Sequence, residues 1–390
     1  MSNYSWPYYS KKELQAVNSV YASGNVNYVF GNNGKLFEKE FAKYIGVKKA
    51  LAVANGTLAL DLCLRAIDVK KGDEIIVTSR SFIASASCIS ILGAVPVFVD
   101  TERDSQNISL RTIKPAITKK TKAIICVHFA GYPCDMHEIC SFAKKNNLCI
   151  IEDCAQAHGA RIKDRSVGSF GDINAWSFCN DKIMSTGGEG GMVTTNSMKL
   201  YKIIESFNNH GKNFQKINKV QSKKVYSFPN VHDSLGLNYR ITEAQSAIGL
   251  IQLEKLDRWH KIRNRNAKII IDALKNLKIV SCPKVKKNYS HAFYKLYLTL
   301  NSDYLKKGAS RKCIIEALQS KGVDASFGAT GAIDSERGFL KYSTKKLSTK
   351  NSIFLQENSI MLLVHPTKTS KKLKEESKII FNVLKSFEQM

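Results

Sequence analysis

Three short segments of this 390-residue chain place reactive side chains where apolar runs end. The densest reads Trp176-Ser-Phe-Cys-Asn-Asp-Lys182-Ile-Met-Ser-Thr-Gly-Gly-Glu-Gly-Gly191. A lysine at the carboxyl edge of a sheet sits where open α/β sheets receive ligands. Shielded from water beside other cations, it loses its proton readily and can form a Schiff base with a carbonyl. The same residues also read as a glycine-rich hairpin with an incidental lysine, and this segment alone does not decide between the two. In Leu148-Cys-Ile-Ile-Glu-Asp153-Cys-Ala-Gln156-Ala-His158, Asp153 ends another apolar run. A buried carboxylate needs a cationic partner. A pyridinium nitrogen is one: ionised Asp153 would keep it protonated and make the ring an electron sink. A capping aspartate is the plainer alternative. Ala54-Asn55-Gly56-Thr57-Leu58 runs from a strand into a helix start, which is either a phosphate seat or an ordinary turn and N-cap. Together the three describe a site for pyridoxal 5′-phosphate.

For these groups to meet, their strands must share a sheet. Between Leu51 and Asn196, β-branched apolar runs alternate with helical stretches: Leu51–Ala54, Glu74–Thr78, Pro96–Asp100, Ala123–His128, Leu148–Asp153, Asn174–Phe178 and Gly191–Thr195. Near-continuous apolar strands separated by helices imply a mostly parallel α/β sheet buried on both faces. Thr57–Ile67 and Met136–Asn146 read as helices, and Asn208–Asn230 as a long polar loop. A helix is expected from the Thr242 N-cap to Leu274, with a break or bend on the way. Beyond it, a strand at Phe293–Leu300, a helix at Arg311–Ser320 and a strand at Met361–Val364 predict a smaller α+β domain. The expected division is a large domain over 1–255, with an N-terminal arm over 1–30, and a small domain over 256–390.

Composition narrows the class. A hydrophobic fraction of 44% with 7 prolines excludes a disordered or collagen-like chain. No run approaches a membrane span and the polar start lacks a signal peptide's apolar core, so a soluble, cytoplasmic protein is expected. The 10 cysteines lie mostly in apolar runs without zinc spacing, which predicts free thiols and no metal site. The net charge of +26 is spread over scattered lysine pairs and reads as a solvated surface; a denser stretch, Lys212 to Lys224, can attract an anionic substrate. No nucleic-acid-binding motif accompanies it.

Phe37-Glu-Lys-Glu-Phe41, Asn55-Gly-Thr57, Ser81-Phe-Ile-Ala-Ser85, Val127-His-Phe-Ala-Gly131, Glu152-Asp-Cys-Ala-Gln156, Ser177-Phe178 with Lys182, Gly188-Glu-Gly-Gly191 and Asn238-Tyr-Arg240 add a resemblance. Over nearly its whole length the chain resembles the DegT/DnrJ/EryC1/StrS nucleotide-sugar aminotransferases, pyridoxal-phosphate enzymes of fold type I. The resemblance implies that Lys182 is the Schiff-base lysine and Asp153 the pyridinium partner. It implies phosphate contacts at Gly56, Thr57 and Ser177, a ring-stacking Phe82, and Gln156 beside the ring hydroxyl. Asn238 corresponds to a residue that reaches the neighbouring subunit's cofactor, which implies a homodimer with shared active sites. Arg240, His210 and His158 are candidate substrate contacts. Plainer readings stand beside these: Phe82 as core, Arg240 as a salt bridge across the dimer, and His158, His210 and His128 as structural histidines.

The family's dehydratase-like members carry histidine where Lys182 stands, so the lysine implies transamination. The expected donor is L-glutamate and the acceptor a nucleotide-linked keto-deoxysugar. Ser177-Phe-Cys-Asn-Asp-Lys-Ile-Met184, Thr78–Ser87 and Leu363-Val-His-Pro-Thr367 are most similar to a subgroup forming dTDP-4-amino-4,6-dideoxyglucose (dTDP-viosamine) for O-antigen or other surface polysaccharide. Ser326–Asp334 departs from the Pro-Leu-His type segment of many members. The alternatives are another sugar nucleotide (GDP-perosamine or a UDP-4-amino sugar) or C3 amination. A lyase or decarboxylase on the same fold, and a cofactor-binding regulator of nucleic acid, are the readings outside transamination. The chain shows no appended helix-turn-helix for the last.

Overall fold

A computed structural model describes residues 6–221, 230–328 and 331–389. Seven strands build the main sheet: β1 (Lys49–Val53), β2 (Glu74–Thr78), β3 (Val95–Val99), β4 (Thr121–Val127), β5 (Cys149–Asp153), β6 (Ile173–Ser177) and β7 (Gly191–Thr195). Their order is β1-β7-β6-β5-β4-β2-β3, with Lys345–Lys346 added outside β3. Pairings from β3 through β6 are parallel, and β7 runs antiparallel to both β6 and β1. Alternation sends Leu51, Val53, Ile75, Val77 and Ile125 to a core under the helices Gly56–Ala66 and Ala84–Ile91. Ala50, Ala52, Ile76, Ile124 and Cys126 face the other way. The carboxyl ends of β1, β5 and β6 therefore open on one edge of the sheet.

The long helix is continuous from Glu243 to Leu274 and shows no break. Thr242 and Gln245 cap it reciprocally, and the Glu243 carboxylate accepts the N–H groups of Asn33 and Gly34, capping the helix Asn33–Ile45. Leu256 and Trp259 pack into the core of Phe37 and Trp176, whereas Ala267, Ile270 and Leu274 pack into the core of the second sheet. Residues 255 and 256 thus lie inside one helix. Thr242→Ala should lower stability by about 1 kcal/mol, read as a shift of the urea midpoint at constant slope.

The second sheet is antiparallel, ordered Val280–Ser281, Leu296–Leu300, Ser359–Leu362 and Ala325–Ser326. The strand expected from Phe293 begins at Leu296. Phe293 has φ 45°, and the N–H groups of Ala292 and Tyr294 bond the carbonyls of Gly131 and Ala130 instead of a strand. Asn208–Asn230 is not loop throughout: Asn213 Oδ1 accepts the N–H groups of Gln215 and Lys216, and a helix follows over Phe214–Gln221. Residues 222–229, including Lys223 and Lys224 of the basic stretch, lie outside the described residues. A helix at Lys11–Ser23 occupies the expected arm, and an amphipathic helix, Ser370–Phe387, buries Leu373, Ile380, Val383 and Leu384 near the C-terminus. The ten cysteines are free, and among the described residues no helix is long and apolar enough to cross a membrane.

Candidate active site

A cavity of about 840 Å³ opens at the shared strand edge. Its wall includes Gly56, Thr57, Phe82, Asp153, Gln156, Ser177 and Lys182, so seven residues picked out in the sequence converge there.

Backbone proximity explains the glycines. A Cβ on Gly56 would lie 2.6 Å from Ser177 Cβ, and one on Gly191 would lie 2.4 Å from the Asn55 carbonyl oxygen. The two glycines let the β1 end, the β6 end and the start of β7 close around a helix N-terminus. Asn55 caps that helix by accepting the Leu58 N–H at 3.0 Å. Helix dipole, first-turn N–H groups and the Thr57 and Ser177 hydroxyls suit a phosphate. Gly56→Ala should weaken cofactor binding by at least about tenfold, measured by absorbance titration, with an unchanged circular-dichroism spectrum.

Asp153 is 5% exposed; Oδ2 accepts the Ser85 hydroxyl at 2.7 Å and Oδ1 the Ala155 N–H at 3.1 Å. Among the described residues it has no cationic side-chain partner within salt-bridge distance. Two hydrogen bonds hold this buried carboxyl on the cavity wall, a placement that fits a protonated ring nitrogen. Gln156 Oε1 accepts the Ala130 N–H at 2.8 Å, which leaves its amide NH₂ as the donating end. Phe82, at 56% exposure, lines the cavity rather than filling the core.

Lys182 follows β6 on a tight turn, its N–H bonding the Cys179 carbonyl at 3.1 Å. The Trp6 indole N–H donates to the Lys182 carbonyl at 2.8 Å. The side chain is 16% exposed, with Nζ 3.9 Å from Asp181 Oδ1 and 5.0 Å from the Tyr294 ring centroid. Burial works to raise the Asp181 carboxyl, but Lys182, the Tyr294 hydroxyl and Lys295 together hold it below its ordinary range. Phe178 N–H to Gly190 O and Thr186 N–H to Phe178 O close the loop behind the lysine.

The candidate substrate residues fare differently. His158 is a correction: at 0% exposure, packed on the rings of Trp176 and Phe178, it cannot touch a substrate. Burial, with the charges of Lys182 and Arg263, pushes its pKa down to about 3, so the ring is neutral. His210 is exposed with φ 61°, Asn238 is exposed opposite Asn209, and Arg240 Nη1 bonds Asn209 Oδ1 at 3.2 Å; none lines this chain's cavity. His128, also buried, bonds Glu152 and the Cys134 N–H, a structural role. Glu152 in turn accepts the N–H groups of Gly168, Phe170 and Gly171, so the His128–Glu152–Cys154 cluster is committed to the fold rather than to a metal. Lys212 lines a separate cavity and Lys216 pairs with Asp233. Asp181, Tyr294, Lys295 and Tyr297 line the active cavity without having been assigned from sequence. Adjacency to Lys182 was the available signal for Asp181, and a polar break in the apolar run was the signal for Lys295.

Known proteins are similar to this chain in sequence and fold. The model of the DegT/DnrJ/EryC1/StrS aminotransferase family matches residues 7–379. A GDP-perosamine synthase of Escherichia coli O157:H7 is 39% identical over 292 residues, covering 74% of this chain and 75% of its own. The X-ray structure of an aminotransferase from Psychrobacter cryohalolentis superposes with a TM-score of 0.94 at 42% identity, covering 98% of this chain and 99% of the other. A GDP-4-keto-6-deoxymannose-3-dehydratase with a trapped PLP-glutamate geminal diamine has a TM-score of 0.85 at 25% identity, over 95% and 98% of the two chains. The architecture is that of the fold-type-I pyridoxal-phosphate aminotransferases, and pyridoxal 5′-phosphate is the cofactor of this fold. With family model, fold and cofactor site in agreement, the chain belongs to the DegT/DnrJ/EryC1/StrS aminotransferase family and is a pyridoxal-phosphate-dependent transaminase acting on a nucleotide-linked sugar.

Proposed function

We propose that the protein moves an amino group from L-glutamate to C4 of dTDP-4-keto-6-deoxy-D-glucose, forming dTDP-4-amino-4,6-dideoxy-D-glucose for O-antigen or other surface polysaccharide. The observation that carries transamination is a lysine, rather than a histidine, lining the same cavity as buried Asp153. Bound pyridoxal phosphate supplies an aldehyde carbon to hold an amine and a protonated ring to accept electrons. Lys182 Nζ would hold that carbon between turnovers. Its free amine would serve as the base that takes the proton from the donor's α-carbon and as the acid that returns it. Asp153 would keep the ring nitrogen protonated, while Gly56, Thr57 and Ser177 would hold the phosphate. Phe82 would pack on the ring and Gln156 would donate to the ring hydroxyl. Asn238, exposed and away from its own chain's cavity, supports the reading of a homodimer in which it serves the partner's cofactor. Arg240 and His210 belong to the same trans-acting surface.

The sugar reading rests on the subgroup-like segments, two of which, Ser177–Met184 and Thr78–Ser87, contribute to the cavity wall. The divergent segment contributes too: Ser326 and Gly328 line the cavity, and Asp334 is anchored by Ser79 and Lys346. Its residues 329 and 330 lie outside the described residues. A GDP-linked acceptor is the second reading, favoured by the likeness to a GDP-perosamine synthase. Assay of dTDP-, UDP- and GDP-4-keto-6-deoxy sugars with glutamate, with product stereochemistry by NMR, tests both. The dTDP sugar should give the highest kcat/KM and an amine at C4; preference for the GDP or UDP sugar, or amination at C3, would replace this assignment.

A further inference from the structure

Lys295 is the second cation on the cavity wall among the described residues, with a side chain 15% exposed. Its Nζ lies 3.7 Å from Asp181 Oδ2, while Lys182 Nζ lies 3.9 Å from Oδ1 of the same carboxylate. Both ammonium groups also sit over the Tyr294 ring, 4.8 Å and 5.0 Å from its centroid, and the Tyr294 hydroxyl donates to Asp181. Two amines therefore flank one carboxylate and one ring, side by side on the same wall. The placement follows from the left-handed turn at Phe293, which shifts Tyr294 and Lys295 out of the strand that begins at Leu296.

A donor amino acid must bring its nitrogen to the point where Lys182 reacts. Its α-carboxylate hangs from the same carbon and must settle on a cation close by. The other charged groups on this wall are Asp153, Asp181 and Glu189, which repel it. Lys182 is committed to the reaction itself. Burial first, then Arg263 and Lys182, holds the Lys295 ammonium below its ordinary pKa, with Asp181 opposing. A buried cation with this much repulsion around it gains from a further anion.

We propose that Lys295 receives a carboxylate of the amino donor, and that Asp181 holds its ammonium in place between turnovers. The proposal rests on the aminotransferase reading and extends it to recognition of the donor.

The two half-reactions separate a donor carboxylate from a nucleotide-sugar phosphate as the anion received. Holoenzyme carrying Lys295→Met is titrated with L-glutamate alone, following conversion of the lysine-bound cofactor to its amine form. Half-saturation should need at least about tenfold more glutamate, with the limiting rate changed by less than about threefold. The amine-form enzyme should keep its dependence on sugar nucleotide, and Lys295→Arg should recover most of the glutamate affinity. Calorimetric binding of glutarate, a dicarboxylate with no amino group to react, should weaken by a similar factor in Lys295→Met. Unchanged glutamate and glutarate affinities overturn the proposal, as does a defect confined to the sugar-nucleotide step. If wild-type holoenzyme fails to convert with glutamate, the choice of donor is what falls, and the glutarate titration still decides the role of Lys295.

Discussion

Lys182→Ala should abolish turnover, with kcat falling by at least about 10⁴-fold, because one substitution removes both the covalent holder of the cofactor and its proton carrier. The absorbance band of the lysine-bound cofactor should vanish from the purified variant while cofactor still binds, since the phosphate cup and Asp153 are untouched. Stability should change little: the side chain contributes no core packing, and its neighbours Asp181 and Tyr294 retain each other. A variant that kept native turnover would remove the basis for the proposed mechanism. Addition of a small primary amine should restore part of the proton transfer.

The second large effect is expected at Asp153. Asp153→Asn keeps the shape, and its Oδ1 can still accept the Ala155 N–H while its NH₂ can only donate to the Ser85 hydroxyl, but it removes the negative charge that holds a proton on the ring nitrogen. Losing one member of a buried ion pair costs about 3 kcal/mol or more, so kcat should fall by roughly a hundredfold or more. The readout is stopped-flow conversion with glutamate alone, which isolates the step the ring's electron demand controls. Ser85→Ala should produce a weaker form of the same defect, since it removes one of the bonds that orients the carboxylate.

The sheet was legible because its strands are buried on both faces. Ile75-Ile-Val77 and Ile124-Ile-Cys-Val127 have no polar alternation to confuse them, and the observed strands fall within about two residues of the runs read from sequence. Arg311–Ser320 was equally plain, with Ser310 capping it. What sequence missed depends on non-local or irregular contacts. The helix Phe214–Gln221 is short, basic and nucleated by the Asn213 side chain, a signal easily taken for a turn. Phe293 was read as strand, yet the backbone of its neighbours is claimed by Ala130 and Gly131, more than 100 residues upstream in the chain.

The same distinction divides the site. Gly56, Thr57, Asp153, Ser177 and Lys182 sit at strand ends within motifs that local spacing can reveal, and all line one cavity. Tyr294 and Lys295 reach it from a segment with no motif, positioned by the turn at Phe293. His158 stands near Asp153 in sequence, but it lies behind the wall, under Trp176 and Phe178. Nearness along the chain does not tell which side of a sheet edge a side chain takes.

Borohydride reduction of the holoenzyme, followed by proteolysis and mass spectrometry of the pyridoxylated peptide, tests the covalent role of Lys182 most directly. The label is expected on Lys182, in the peptide that continues from β6. A label on Lys295 or any other lysine, or none on a cofactor-saturated protein, would contradict the account of this site.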